Sequence, residues 1–211
     1  GGILRAILEA LVRKFAAQKY LLLAILTFFF MLLGGGFGIL EEVIILIPVL
    51  VGLAYAWGWE SLAGLGVSIL AANMGVSAAM INPYTIGIAQ SIAELPAFSG
   101  LWFRAIIFAV VYAIFTFFLV RYARRIEKEP QKSLVHQEDA LERSKYASFD
   151  LHAMQTLTPR MRKATTFLAI CLAGILAMPF IGSLMPGLED LILPIVGLFF
   201  VIGGVGSGMI S

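Results

Sequence analysis

Two short stretches of an otherwise apolar chain hold the groups that could do chemistry. One is Glu41-Glu42, which follows directly on the glycine-rich run GGGFGIL at residues 34–40. The other is NMGVSAAMINPYT, residues 73–85, which sets Asn73, Ser77, Asn82 and Thr85 within a stretch that carries no charge between Glu60 and Glu94. Carboxylates at membrane depth are expensive to desolvate, so they default to binding a small cation, a proton or a substrate group. At the first turn of a helix, Glu41 and Glu42 would also face amides that lack intrahelical partners. In the second stretch, Pro83 has no amide to donate and pushes Asn82 out of the α region. Gly75 and the small residues Ser77, Ala78 and Ala79 add to the break. Non-helical backbone survives in a membrane only where it is buried in protein or lines a wet cavity. The chemistry expected is therefore binding: carbonyls, amides and carboxylates converging on a small polar solute and an ion. The plainer alternatives are a proline-kinked helix packed through small residues, and two glutamates solvated in a loop.

Bond-making has little to work with, and no enzyme is expected. His136 and His152 both sit in the hydrophilic segment, no HExxH occurs, and Ser68 and Ser77 have no visible base. Adjacent glutamates on a helix point about 100° apart, which is poor geometry for a carboxylate dyad. No catalytic residue, tightly bound cofactor or nucleic-acid partner is expected. Na⁺ near Glu41, Glu42 and Asn82, or H⁺ on the carboxylates, is the candidate coupling ion.

The elements that must position these groups follow from composition. The chain has 211 residues, 60% hydrophobic and 13% charged, with a mean hydropathy of +0.95. A soluble domain is nearer half apolar and a quarter charged, so this is an all-α polytopic membrane protein. Between Tyr20 and Val120 the only Lys or Arg is Arg104, and none occurs after Lys163. The remaining basic residues lie before Tyr20 or within Arg121–Lys163, and both regions are assigned to the cytoplasmic side of the cell (inner) membrane.

In order, residues 1–19 read as an interfacial amphipathic helix. Residues 20–58 hold two apolar runs of about 15 residues, short for spans of about 20, around the Gly34–Glu42 tip. A re-entrant hairpin and two ordinary spans both fit, and both return the chain to the same side. Trp57 and Trp59 suit a headgroup-level aromatic belt. Residues 61–95 form the broken transmembrane helix: unbroken, its 34 central residues would measure about 50 Å against a hydrocarbon layer of about 30 Å. Residues 101–121 form a clean span, with Arg104 snorkelling to the nearer surface. Residues 122–164 are a cytoplasmic linker with helix around Gln137–Tyr146. Residues 165–211 hold two spans whose glycines suit close packing, and Cys171 reads as a buried, inert thiol.

The runs FGILEEVIILIPVLVGLAYAWGWESLAGLGVSILAANMG (Phe37–Gly75), INPYTIGIAQSIAELPAFSG (Ile81–Gly100) and RYARRIEKEP (Arg121–Pro130) resemble the YfcC-like branch of the C4-dicarboxylate anaerobic carrier family, within the ion transporter superfamily. The resemblance implies a secondary transporter of two inverted repeats, each with a re-entrant hairpin and a discontinuous helix, usually a homodimer. It implies a site where tip and break meet, carried here by Gly35, Gly36, Glu41 and Glu42 on one side and by Asn73, Ser77, Asn82, Pro83 and Thr85 on the other. This chain shows one hairpin and one broken helix, so it reads as one half of such a transporter, covering the first repeat. The expected function is cation-coupled secondary transport of an amino acid or C4-dicarboxylate. A channel, or a non-transporting membrane scaffold subunit, is the alternative.

Overall fold

The structure is a computed structural model that describes residues 18–96, 98–146, 159–184 and 189–210. Most of the expected interfacial helix at 1–19, and the linker stretch 147–158 with His152, lie outside these residues. Every regular element among the described residues is helical. Among the described residues, three helices are long and apolar enough to cross a membrane: Lys19–Phe37, Leu101–Lys128 and Pro159–Met178. The fold is that of an all-α multi-pass membrane protein.

Helix α1 (Lys19–Phe37) opens the described chain. Its leucines and phenylalanines bury Leu22, Leu23, Leu26 and Phe30 almost completely, and Thr27 satisfies its hydroxyl on Leu23 O at 2.8 Å. The first glycines of the expected tip, Gly34–Gly36, continue the helix as a π-helical turn, Leu33–Phe37. Their partners decide this. A methyl on Gly34 would overlap Ala72 O, and one on Gly35 would stand 2.6 Å from Gly75 O. The glycines permit two backbones to touch, which is their commonest use between membrane helices. The turn itself comes at Gly38, whose φ of +73° a side-chain-bearing residue rarely adopts. Gly38 N–H and Ile39 N–H return to Gly34 O and Leu33 O, each at 3.0 Å, and so close the helix end.

The chain then turns back through a 3₁₀ segment, Glu41–Leu46, into α2 (Ile47–Ala56), which has Pro48 in its first turn where no amide is missed. Both hairpin ends meet one residue near the end of the helix Leu101–Lys128. Lys19 and Tyr20 each bind the Glu127 carboxylate, and Trp59 Nε1 approaches it at 3.5 Å. The chain therefore leaves and returns at the same face. Trp59, expected at the headgroup level, is instead 1% exposed, packed edge-on to Trp57 and tilted against Tyr20.

Helix α3 (Ser61–Ser77) runs inward against both arms, with Gly64 seated on the backbone of Leu50 and Val51. It stops at residues 78–82, and α4 (residues 83–92) carries the chain on to a turn before α5 (Leu101–Lys128). The hydrophilic linker contributes α6 (His136–Glu142). Helices α7 (Pro159–Leu184) and α8 (Glu189–Ile210) form an antiparallel pair, Gly203 meeting Cys171 and Gly206 meeting Phe167. The pair leans on the hairpin tip through Phe200, whose ring lies 6.4 Å from both Phe37 and Tyr84.

Candidate functional site: the junction of hairpin tip and helix break

The break begins because the last turn of α3 loses its ladder. In an unbroken helix the N–H groups of Met80 and Ile81 would serve Val76 O and Ser77 O. Here both go to Gly35 O on α1, at 3.0 and 3.4 Å. Two carbonyls at the negative end of α3 are thereby left without a backbone donor among the described residues, a polarity that favours a cation.

Asn82 completes the junction. Its backbone (φ −53°, ψ 113°) is the extended conformation expected before proline. Its side chain, 1% exposed, does two jobs. Oδ1 accepts from Tyr84 N–H (2.9 Å) and Thr85 N–H (3.3 Å), capping α4, while Nδ2 donates to Gly34 O at 3.1 Å. Asn82 O accepts from Ile86 and Gly87, so the first turn of α4 has its amides already committed. Oδ1 likewise has both lone pairs in use. Asn82 is a latch between hairpin and half-helix, and it holds a ligand only by giving up a cap bond.

Arg104 fastens the same junction from α5. Its Nε donates to Met80 O at 3.2 Å and its Nη2 to Ser99 O, so it is turned onto the break instead of snorkelling away. About 34 Å of α5 separates Arg104 from Glu127, which sets the junction near the end of α5 opposite the hairpin's open ends. Gln90 finishes the frame by binding Ser99 O (3.0 Å) and accepting from Phe98 N–H (2.7 Å).

The structure thus brings together Gly35, Asn82, Pro83 and the backbone of Thr85. Gly36 is buried beside them and faces Leu176. Asn73 and Ser77, one helical turn apart, are exposed on α3, as is the Thr85 side chain on α4; Asn73 Nδ2 rests on Ile69 O at 3.2 Å. Glu41 and Glu42 open the second arm, exposed, with no hydrogen bond or ion pair among the described residues. No hydrogen bond joins them to Asn82 among the described residues, and no group of three metal-ligating side chains occurs among those residues. Sequence reading did not find Arg104 and Gln90 as parts of the site. An Arg one turn inside an apolar span, and a Gln in INPYTIGIAQ, were the available signals.

The class defined by this fold is a multi-pass helical membrane protein with one helix broken at a buried hydrogen-bonded junction. Residues 1–210 match the family described as C4-dicarboxylate anaerobic carrier, and the chain belongs to that family. It is 30% identical over 141 residues to YfcC of Escherichia coli (strain K12), whose name proposes, without establishing, a basic amino acid antiporter. That match covers 67% of this chain and 28% of YfcC. An uncharacterized protein of Haemophilus influenzae (strain ATCC 51907 / DSM 11121 / KW20 / Rd) is 26% identical over 170 residues, covering 80% of this chain and 33% of that protein. The chain thus spans about a third of the length of these relatives. No solved structure matches it.

Proposed function

We propose that the intact protein is a secondary active transporter of a small organic solute, an amino acid or a C4-dicarboxylate, coupled to Na⁺ or H⁺ at the cell membrane. The observation that carries this reading is the junction itself. The chain spends a buried asparagine, a half-buried arginine and three glycine contacts on holding a helix open at one level. A plain bundle gains nothing from an interrupted ladder, because each lost backbone bond costs on the order of 1 kcal/mol.

In this reading the junction is the frame and the exposed polar face beside it is the contact surface. Asn73, Ser77 and Thr85 would meet the solute, and the uncommitted carbonyls of Val76 and Ser77 would give oxygens to a cation. Glu41 and Glu42, three and four residues beyond Gly38, would close over the site when the tip moves. A basic solute would pair with these carboxylates directly, whereas a dicarboxylate would need the cation between them. The homodimer expected from the family resemblance would hold one part of each copy still while the hairpin moves.

The test is counterflow in proteoliposomes holding the intact protein. Labelled lysine, arginine, fumarate and succinate would each be offered with and without a Na⁺ or pH gradient. Saturable, trans-stimulated uptake of one class, lost in Glu41→Gln with normal expression, is the expected result. Flux that neither saturates nor shows counterflow would mean a channel and would end the proposal.

A further inference from the structure

A second buried polar site lies at the opposite end of the molecule, at the face where the hairpin opens. Glu60, the residue before α3, is 1% exposed. Its Oε1 accepts from Tyr122 of α5, while its Oε2 is buried without a hydrogen-bond partner. Glu60 lines a cavity of about 240 Å³ together with Gly58, Ile126, Ser133, His136, Asp139 and Arg143 among others. The linker supplies most of the lining, from Pro130 to Arg143. Asp139, 4% exposed, accepts from Tyr55 OH at 2.9 Å and from Ser61 N–H at 2.8 Å. It thereby supplies the N-terminal cap of α3 from 78 residues away. Arg143 donates to Trp59 O and lies 4.7 Å over the Tyr55 ring.

We propose that Glu60 is a proton-binding residue, and that its proton holds the linker helix docked on the start of the broken helix. An ionised carboxylate with one buried, unpaired oxygen is costly, and protonating that oxygen removes the larger part of the cost, that of the buried charge. Of the polar groups around it, Ser133 lines the same cavity with its Oγ accepting from Val135 N–H, and the remaining acceptors are taken. Tyr122 already donates, both Asp139 oxygens are occupied, and Glu127 further along α5 is paired with Lys19. The nearby cation is Arg143, committed to Trp59 O and the Tyr55 ring, with His136 on the cavity wall. Burial pushes the Glu60 carboxyl above the usual range, Ser133 lowers it, Asp139 raises it and Arg143 lowers it again. Undocking would break the Asp139 and Arg143 hydrogen bonds, admit water to Oε2 and release its proton into that water. No other covalent bond changes.

The sign follows from linkage. A carboxyl whose affinity for its proton is greater in the docked state favours docking at low pH, and docking weakens as pH rises toward the docked-state value. Within that window the docked-to-undocked ratio falls by up to about tenfold per pH unit. The inference stands apart from the transport reading, because its readout needs no solute. A spin label at Gln137→Cys, in a Cys171→Ala background of the intact protein, reports the docking of α6. The expected result is an immobilised spectrum near pH 5 that turns mobile toward pH 9, with a protonated-carboxyl infrared band that fades in step. In Glu60→Gln the label should stay immobile throughout and the band should be missing. A label whose mobility ignores pH in the parent, a titration unchanged in Glu60→Gln, or a parent band identical to that of the variant would each overturn the proposal. Should Glu60→Gln not fold, the infrared titration of the parent decides alone: no fading band, no site.

Discussion

Replacing Asn82 separates its two jobs, and the size of each can be worked from the contacts. Asn82→Ala removes the α4 cap, worth about 1–2 kcal/mol at a helix N-terminus. It also removes the Nδ2 bond to Gly34 O, worth about 1 kcal/mol. Gly34 O keeps Gly38 N–H as a donor at 3.0 Å, so no full desolvation penalty is added there. The total is about 2–3 kcal/mol, or a melting midpoint lower by about 4–12 °C for a chain of this size. Asn82→Ser retains a capping oxygen but is too short to reach α1, so it should lose only the second part, about 1 kcal/mol. Asn82→Asp keeps the cap and turns an unpaired charge toward Gly34 O. It should therefore fall at least as far as Ala at neutral pH. It should recover on acidification, because a buried unpaired carboxyl is easier to protonate and its neutral form can donate to Gly34 O. The assay is thermal unfolding of the purified intact protein in one detergent, across pH. Equal midpoints for Ser and Ala, or an Asp variant as stable as the parent at neutral pH, would refute the latch.

Other consequences are equally specific. Gly75→Ala puts a methyl into Met31 O of α1 and should abolish folded yield in detergent extracts. Gly36→Ala, whose nearest neighbours would be 3.6 Å away, should express normally on the same size-exclusion trace. Arg104→Ala leaves Met80 O without this donor and Ser99 O with Gln90 Nε2 alone, and should cost about 2–3 kcal/mol, read as a lowered melting midpoint. Arg104→Lys, carrying one ammonium in place of a fork, should recover only part of it. Asp139→Ala strips the α3 cap and frees the linker. Trypsin should then cut at Lys132 and Arg143 much faster than in the parent, while Glu138→Ala, on the exposed face of the same helix, should leave the digest unchanged.

How far the sequence foretells this molecule depends on whether the cause is local. The helix break was legible because Asn82-Pro83 acts on its own backbone: proline forbids one amide and restrains one residue, whatever surrounds them. The close glycine packing of α7 on α8 was legible for a similar reason, since glycine has few other uses inside an apolar span. Gly34–Gly36 read equally as hairpin tip or as part of a span, because glycine permits turn and close-packed helix alike. The choice fell to Ala72 and Gly75, some forty residues away. Arg104 was expected to snorkel because only the fold shows two carbonyls within its reach. Trp59 was placed at the headgroup level, yet its indole N–H faces Glu127, far off in sequence. The linker looked featureless for the same reason: Asp139 is unremarkable until Ser61 and Tyr55 are brought to it.

The claim beneath all of this is that the polar face beside the junction meets water and solute, whereas the apolar face of α5 meets lipid or protein. Cysteine labelling asks this directly. Single cysteines at Ser77, Thr85, Ile106 and Ile114, all exposed in the structure, would be placed in a Cys171→Ala background of the intact protein. They would be treated in membranes with a charged, impermeant thiol reagent, with and without the transported solute. The account predicts rapid labelling at 77 and 85, slowed by solute, and none at 106 and 114. Positions 77 and 85 as inert as 106 and 114 would contradict it.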